Sequence, residues 1–271
     1  MSKLNSALIS VALVSVLSPL SPLKILAQEK EVKPAVKIET KSAVPAPVMS
    51  LLKLSMEAYG KMKTYRHTAV WSVYAKRDDG QIIQEELKFT LALERPNRFA
   101  YKIETVPKLF SQVAAFSDGK TFVNFKGDRK QYTKSPAPQN FKGINIVDDV
   151  EFQPIGTYLI ALMLQGDILA DKDIRTAMEH ASLKSQLVEN GKKWQILEMP
   201  FGDDENPYQI YVGIEDHLIG KAFQMGKVKI SETIEAIRID KPIEPTVFSY
   251  TLPESAKQIE KFVAPSRPND A

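Results

Sequence analysis

The stretch ELKFTLALERPNRFAYKIE, residues 86–104, decides the fold. Apolar residues take the odd positions on both sides of an Arg-Pro-Asn sequence at 95–97, and polar residues take most of the even positions. Alternation with a period of two is typical of a β-strand that has one apolar and one solvent-facing side. Because Pro and Asn favour turns, the stretch predicts two antiparallel strands, 86–94 and 98–104, joined by a tight turn.

The same alternation continues in the neighbouring sequence. Residues 65–75 alternate in the same way, and Asp-Asp-Gly at 78–80 predicts the hairpin that leads into the next strand. Downstream, AFSDGKTFVNF (115–125) carries Asp-Gly between apolar alternations, which is a strong hairpin signal. The Gly-Lys-Thr inside it resembles the end of a phosphate-binding loop. However, the first glycine of that motif would be Ala114, and a strand pattern follows instead of a helix, which argues against nucleotide binding.

Later segments return to strand patterns after a Pro-rich loop at 133–143. Together with the first strands they predict about nine to eleven antiparallel strands. The later segments with this pattern are 183–188, 193–198, 207–213, 218–224, 227–239 and a closing strand within 245–257 that is stopped by Pro253.

Three segments have helical patterns, namely 49–63, 155–165 and a more polar one at 171–182. The second, IGTYLIALMLQ, is apolar almost throughout but is too short to span a bilayer. Two interpretations of it stay open at this point: a helix buried in an ordinary core, or a lid over an apolar cavity.

Residues 1–27 are typical of a secretory signal peptide, with a basic start, an apolar run and a small residue before the expected cleavage; an uncleaved membrane anchor is the alternative. We expect a flexible leader at 28–46, one domain at 47–263, and a flexible tail at 264–271. No later apolar segment could span a membrane, so an exported periplasmic protein is expected. Without the signal peptide, 34 basic and 33 acidic residues remain, which argues against nucleic acid as a partner.

Motifs that carry chemistry are absent from the sequence. There is no cysteine, so thiolate metal sites and disulfides are excluded. His67, His180 and His217 are far apart and lack metal-ligand spacing. His67 lies on an apolar strand face, where a hydrogen-bonded histidine of a core or cavity is expected. No nucleophile motif occurs. We therefore predict no catalytic residue, no metal, no cofactor and no enzymatic activity.

Several of these motifs together resemble a known family. The Arg-Pro-Asn-x-Phe turn at 95–99, followed by the Ser-Asp-Gly-Lys-Thr hairpin at 117–121, resembles the paired signature of the LolA-like superfamily, the periplasmic lipoprotein carriers. Over 47–260 the chain is most similar to that superfamily's group of predicted periplasmic proteins of unknown function. The segments that carry this similarity are LLKLSMEAYGKMKTYRHTAVWSV, YTKSPAP, PIGTYLIALMLQGD, YQIYVGIEDHLIGKAFQMGKVKI and PTVFSYTLPESAK.

The resemblance implies an α+β fold, a curved antiparallel half-barrel (an incomplete barrel) with helices covering its open concave side. It also implies that acyl chains bind in the hollow, and that Arg95 acts as a latch that keeps the lid shut. The chain departs from the carriers after the hairpin, where their usual tryptophan and proline are missing.

The expected function is to hold a hydrophobic ligand, a lipid or the acyl chain of a lipoprotein. The alternative is a partner-binding or envelope-sensing module with a filled core, whose partners would be envelope proteins. The sequence leaves the oligomeric state open. The expected cavity residues are Trp71, Leu87, Phe89, Leu91, Phe99, Tyr101, Tyr158, Leu159, Leu162 and Met163.

Overall fold

A computed structural model describes residues 43–76, 79–105, 112–143, 154–200, 206–226 and 228–262. These residues form thirteen strands of one sheet. The strands are Thr64–Lys76 (β1), Ile82–Glu94 (β2), Arg98–Thr105 (β3), Val113–Asp118 (β4), Thr121–Lys126 (β5), Gln131–Pro136 (β6), Ser182–Leu183 (β7), Leu187–Glu189 (β8), Lys192–Met199 (β9), Tyr208–Gly213 (β10), Ile219–Gln224 (β11), Val228–Ile239 (β12) and Lys257–Gln258 (β13). Their order in the sheet is β13-β6-β5-β4-β3-β2-β1-β12-β11-β10-β9-β7, with β8 also pairing with β9.

Three α-helices occur in the described ranges, at Ala46–Gly60 (α1), Ile155–Gln165 (α2) and Lys172–Glu179 (α3). Gly166, with φ near 78°, ends α2 in the left-handed conformation that glycine adopts readily. Asp171 begins α3 by accepting a hydrogen bond from the Ile174 amide at 2.7 Å. Among the described residues, no helix combines the length and the apolar character that crossing a membrane requires.

The central hairpins follow the predicted alternation. Strands β1 to β5 pair antiparallel in sequence order, and Leu93 lies opposite both Tyr65 and Phe99. Consequently the odd-numbered residues of β1 to β3 share one face, and α1 and α2 pack against it in one core. The sheet runs from β13 to β7 without closing. The predicted α+β fold with an incomplete barrel and helices on one face is thereby confirmed.

The predicted closing strand at 245–257 is wrong. Residues Pro245–Phe248 form a 3-10 turn, and only Lys257–Gln258 joins the sheet, in parallel with β6. Proline has no amide hydrogen to give to a strand ladder, which disfavours a continuous strand there. Instead, Phe248 is buried against Ala92 and Ala100 on the sheet face opposite the helices. Small side chains on that face leave room for the ring, so the segment packs on the sheet and does not extend it.

Two smaller predictions also need correction. The predicted loop at 133–143 begins as a strand, because β6 pairs with β5 as far as Pro136. The predicted strand at 183–188 is two short pieces, β7 and β8, which pair with different parts of β9. The predicted signal peptide and tail lie outside the described residues, as does most of the leader; the described residues from Val44 onward form one compact unit.

Candidate functional site

Helix α2 lies on the apolar face of the sheet, and nine of its eleven residues are buried. Its central residues, Leu159 to Met163, carry only apolar side chains. A helix that is apolar on all sides is typically buried. Polar side chains are disfavoured in its middle, because apolar surroundings offer them no hydrogen-bond partners. The middle of α2 is therefore held by apolar packing alone, and its polar contacts occur at its ends.

The residues predicted to line a cavity lie together between the sheet and α2. Nine of them are buried, the most exposed being Trp71 at 6%, while Tyr158 is half-buried and donates a hydrogen bond to Asp171 at 2.7 Å. All ten belong to one cluster of contacting side chains. In this conformation their surfaces are covered by each other and by neighbouring side chains, so a ligand cavity at this place stays a prediction.

The N-terminus of α2 is held by a buried carboxylate from β12. Glu232, which is 1% exposed, accepts a hydrogen bond from the Gly156 amide at 2.7 Å. Its other oxygen accepts bonds from the Thr157 amide at 2.8 Å and from the Thr157 hydroxyl at 2.6 Å. The first amides of a helix have no partner within the helix, and they carry a partial positive charge. The carboxyl oxygens of Glu232 accept hydrogen bonds from these amides, and they place electron-rich atoms at the positive end of the helix.

Gly156 is required by this close approach. A Cβ atom at position 156 would lie 2.8 Å from Glu232 Oε2 and 3.1 Å from Glu232 Cδ. A carbon atom does not approach an oxygen or a carbon that closely without a shift of one of the groups. Any larger residue at 156 would therefore move Glu232 away from the helix end.

A chain of hydrogen bonds continues from Glu232 into the core. His67, fully buried on β1, has Nε2 at 3.1 Å from Thr157 Oγ1 and Nδ1 at 3.0 Å from the Tyr65 hydroxyl. The ring of Tyr65 contacts Tyr59 edge-on, and the Tyr59 hydroxyl accepts a bond from the Ile219 amide at 3.0 Å. His67 is thus the hydrogen-bonded core histidine expected from its place on an apolar strand face.

Burial shifts the proton affinities of these groups. It raises the pKa of Glu232 to about 7, because removal from water penalises the charged carboxylate more than the bonds from Thr157 and Gly156 stabilise it. It lowers the pKa of His67 to about 3, because the charged imidazolium would be buried. The pKa of Tyr65 is raised well above its ordinary value, also by burial.

Arg95 holds the other end of α2. Its Nε donates to the Met62 carbonyl at 2.8 Å, and its Nη2 donates to the Leu164 carbonyl at 2.9 Å. The last carbonyls of a helix carry a partial negative charge, which a guanidinium complements. Polar side chains thus hold α2 at its two ends, Glu232 at the start and Arg95 near the finish. The role of Arg95 as a lid latch stays a prediction.

Sequence reasoning missed Glu232 and Thr157. One signal was available, because even positions of β12 carry Val228, Ile230 and Ile234, and Glu232 interrupts this apolar series. An acid in the middle of an apolar strand face needs a partner, and a helix N-terminus is a suitable one. The sequence alone does not say which of the helices supplies it.

The family described as "Predicted periplasmic protein (DUF2092)" matches residues 48–261. This match confirms the predicted periplasmic location and the predicted group of proteins of unknown function. No curated protein matches the chain.

Solved structures with a similar chain path include an uncharacterized conserved protein from Thermus thermophilus, with 11% identity and a TM-score of 0.43 over 79% of this chain and 98% of that one. LprF from Mycobacterium bovis is 9% identical, with a TM-score of 0.38 over 79% and 100% of the two chains. A LolA superfamily protein from Nitrosomonas europaea is 9% identical, with a TM-score of 0.33 over 75% and 97%. With identities and TM-scores this low, function must be inferred from the residues of this chain.

Proposed function

The chain belongs to the family of predicted periplasmic proteins DUF2092, and we propose that it is a non-enzymatic binding protein of the periplasm that holds a hydrophobic ligand between the sheet and α2. The ligand class is a lipid or the acyl chain of a lipoprotein. The observation that carries the proposal is the attachment of α2. Its apolar middle packs on the apolar sheet face, and polar bonds hold it at the two ends.

Apolar contacts of this kind can be exchanged for a ligand. They have no directional requirement, so an acyl chain can insert between the middle of α2 and the sheet with apolar surface on both sides of it, and only polar groups at the ends of α2 lose partners. Each buried methylene contributes about 0.8 kcal/mol, so burial of about ten of them gains about 8 kcal/mol. That gain is large enough to offset the loss of a few hydrogen bonds at the ends of α2, each worth about 1–3 kcal/mol.

Native mass spectrometry tests the proposal. Protein purified from the periplasm is measured directly, then after removal of lipid, and again after addition of palmitate. We expect one acyl ligand per chain in the first and third samples. The matched control is Val188→Asp, at a residue that is 64% exposed and outside the core cluster, and it should bind as the wild type does. Absence of ligand from the first and third samples alike contradicts the proposal.

A filled core with a partner-binding surface is the second candidate. The observation that favours it is the near-complete burial of the predicted cavity residues in this conformation. In that case α2 is a permanent core helix, and its amides exchange with solvent only when the whole domain unfolds. Hydrogen exchange of residues 155–165 separates the two candidates, because a lid opens at a lower free energy than global unfolding.

A further inference from the structure

The N-terminus of α2 contacts two ionisable groups that share one hydrogen-bond partner. We call Glu232, His67 and their shared partner Thr157 the seat of α2. Thr157 Oγ1 lies 2.6 Å from a Glu232 oxygen and 3.1 Å from His67 Nε2. Glu232 and His67 belong to neighbouring strands of the sheet, β12 and β1, whereas Thr157 belongs to α2. When α2 lifts, both groups therefore lose the same hydroxyl at the same moment.

We propose that Glu232 and His67 form a pH-compensated seat, in which contact with α2 favours the uncharged form of both groups, and lifting of α2 favours their ionisation in opposite senses. Glu232 then releases a proton and His67 gains one. The inference rests on the proposed function in one respect, namely that α2 is the part that lifts. It requires no particular ligand.

The hydrogen-bond chain can accommodate an uncharged pair. The Thr157 hydroxyl donates to Glu232 at 2.6 Å in the structure, and the same separation allows the reverse direction. With Glu232 protonated, its hydroxyl can donate to Thr157 Oγ1, which then donates to His67 Nε2, and His67 Nδ1–H donates to the Tyr65 hydroxyl. With Glu232 ionised, these three side-chain bonds run in the opposite direction. The Thr157 hydroxyl donates to the carboxylate, His67 Nε2–H donates to Thr157, and the Tyr65 hydroxyl donates to His67 Nδ1. Ionisation of Glu232 thus changes the tautomer of His67.

The groups around the pair, within the described part of the chain, do not supply a compensating charge. The ionisable side chains that face Glu232 there are Tyr65 and His67 of β1, Tyr101 of β3 and Tyr208 of β10. The pKa of each of these tyrosines is raised, that of Tyr208 to about 12, so all three are neutral near pH 7. Helix α2 contributes the Gly156 and Thr157 donors, and β11 places Ala222 opposite Glu232.

The two groups have opposite dependences on pH. The pKa of Glu232 is about 7 while α2 is in place, compared with an ordinary value of 4.5. Raising the pH through this interval therefore favours the lifting of α2. The pKa of His67 is about 3 while α2 is in place, compared with an ordinary value of 6.5. Lowering the pH below 6.5 therefore also favours the lifting of α2. When the pH rises from 5.5 to 8, Glu232 increases the equilibrium constant for opening about 30-fold, and His67 decreases it about 10-fold. The two effects therefore largely cancel.

Hydrogen exchange of α2, corrected for intrinsic rates, tests this in ligand-free protein at pH 5.5 and 8. In the wild type we expect opening to change by about threefold or less. In Glu232→Gln it should rise about 10-fold on going to pH 5.5, and in His67→Gln it should rise about 30-fold on going to pH 8. Glu235→Gln and His180→Gln, at exposed residues, are the matched controls and should behave as the wild type. Equal pH profiles in all five proteins would overturn the proposal.

A second measurement uses the unaltered protein and so does not depend on the folding of a variant. Nitrogen-15 spectra of His67, assigned by their loss in His67→Gln, report its protonation and tautomer. We expect a neutral ring at pH 5.5 and a change of tautomer near pH 7. A charged ring at pH 5.5, or one tautomer throughout, contradicts the proposal. If these results hold but no lipid binds, the seat stands and the proposed function fails.

Discussion

Replacement of Gly156 by alanine tests whether the N-terminus of α2 is held by Glu232. The new methyl carbon would lie 2.8 Å from Glu232 Oε2, and that oxygen also accepts the bond from the residue 156 amide. We expect this bond to break and to leave a buried amide without its acceptor, at a cost of about 1–3 kcal/mol. Alanine is better than glycine in a helix by at most about 1 kcal/mol. The net expectation is a loss of about 1–2 kcal/mol in the free energy of unfolding.

Urea unfolding followed by circular dichroism measures this loss, and Gly60→Ala is its matched control. Gly60 lies at the exposed end of α1, where an added Cβ meets no atom within 4 Å, so alanine there should be neutral or stabilising by up to about 1 kcal/mol. The reasoning is refuted if Gly156→Ala is as stable as the wild type, or if Gly60→Ala is destabilised equally.

Three further predictions follow from the same contacts. Arg95→Gln removes donors to two carbonyls and should lower the free energy of unfolding by about 1–3 kcal/mol in urea, while raising the rate of fatty-acid association in stopped flow. Phe248→Ala should cost about 3–5 kcal/mol in the same urea assay, whereas exposed Val188→Ala should stay within about 0.5 kcal/mol. Relative to Glu232→Gln, Glu232 should stabilise the wild type fully below pH 4.5. This contribution to the free energy of unfolding should fall by on the order of 3 kcal/mol as the pH rises through 7. Unfolding at several pH values checks this, and a difference independent of pH contradicts it.

The central strands were predictable because their signal is local. Alternation in 65–75 and 86–104 needs only neighbouring residues, and the turn at 118–119 needs only Asp followed by Gly, which adopts φ near 92°. The segment at 245–257 failed for the opposite reason. Alternation there cannot distinguish a strand that pairs at a sheet edge from a segment that packs on a sheet face, and the small Ala92 and Ala100 far away in sequence decide between them.

The candidate site was predictable in its apolar part only. Side chains such as Trp71 and Phe89 face the helices because strand period fixes their side of the sheet. The seat of α2 depends on a pair of residues that are 75 positions apart, Thr157 and Glu232, and one sequence does not reveal such pairings. An acid within an apolar strand series indicates that a buried partner exists, but it does not identify the partner.

The central claim is that α2 covers a binding site for an acyl chain. The most direct measurement is an equilibrium titration of lipid-free protein with a fluorescent fatty acid, competed with unlabelled palmitate. The account predicts saturable binding of one ligand per chain that palmitate displaces, with faster association in Arg95→Gln. A folded, lipid-free protein that shows no saturable and competable binding would contradict it.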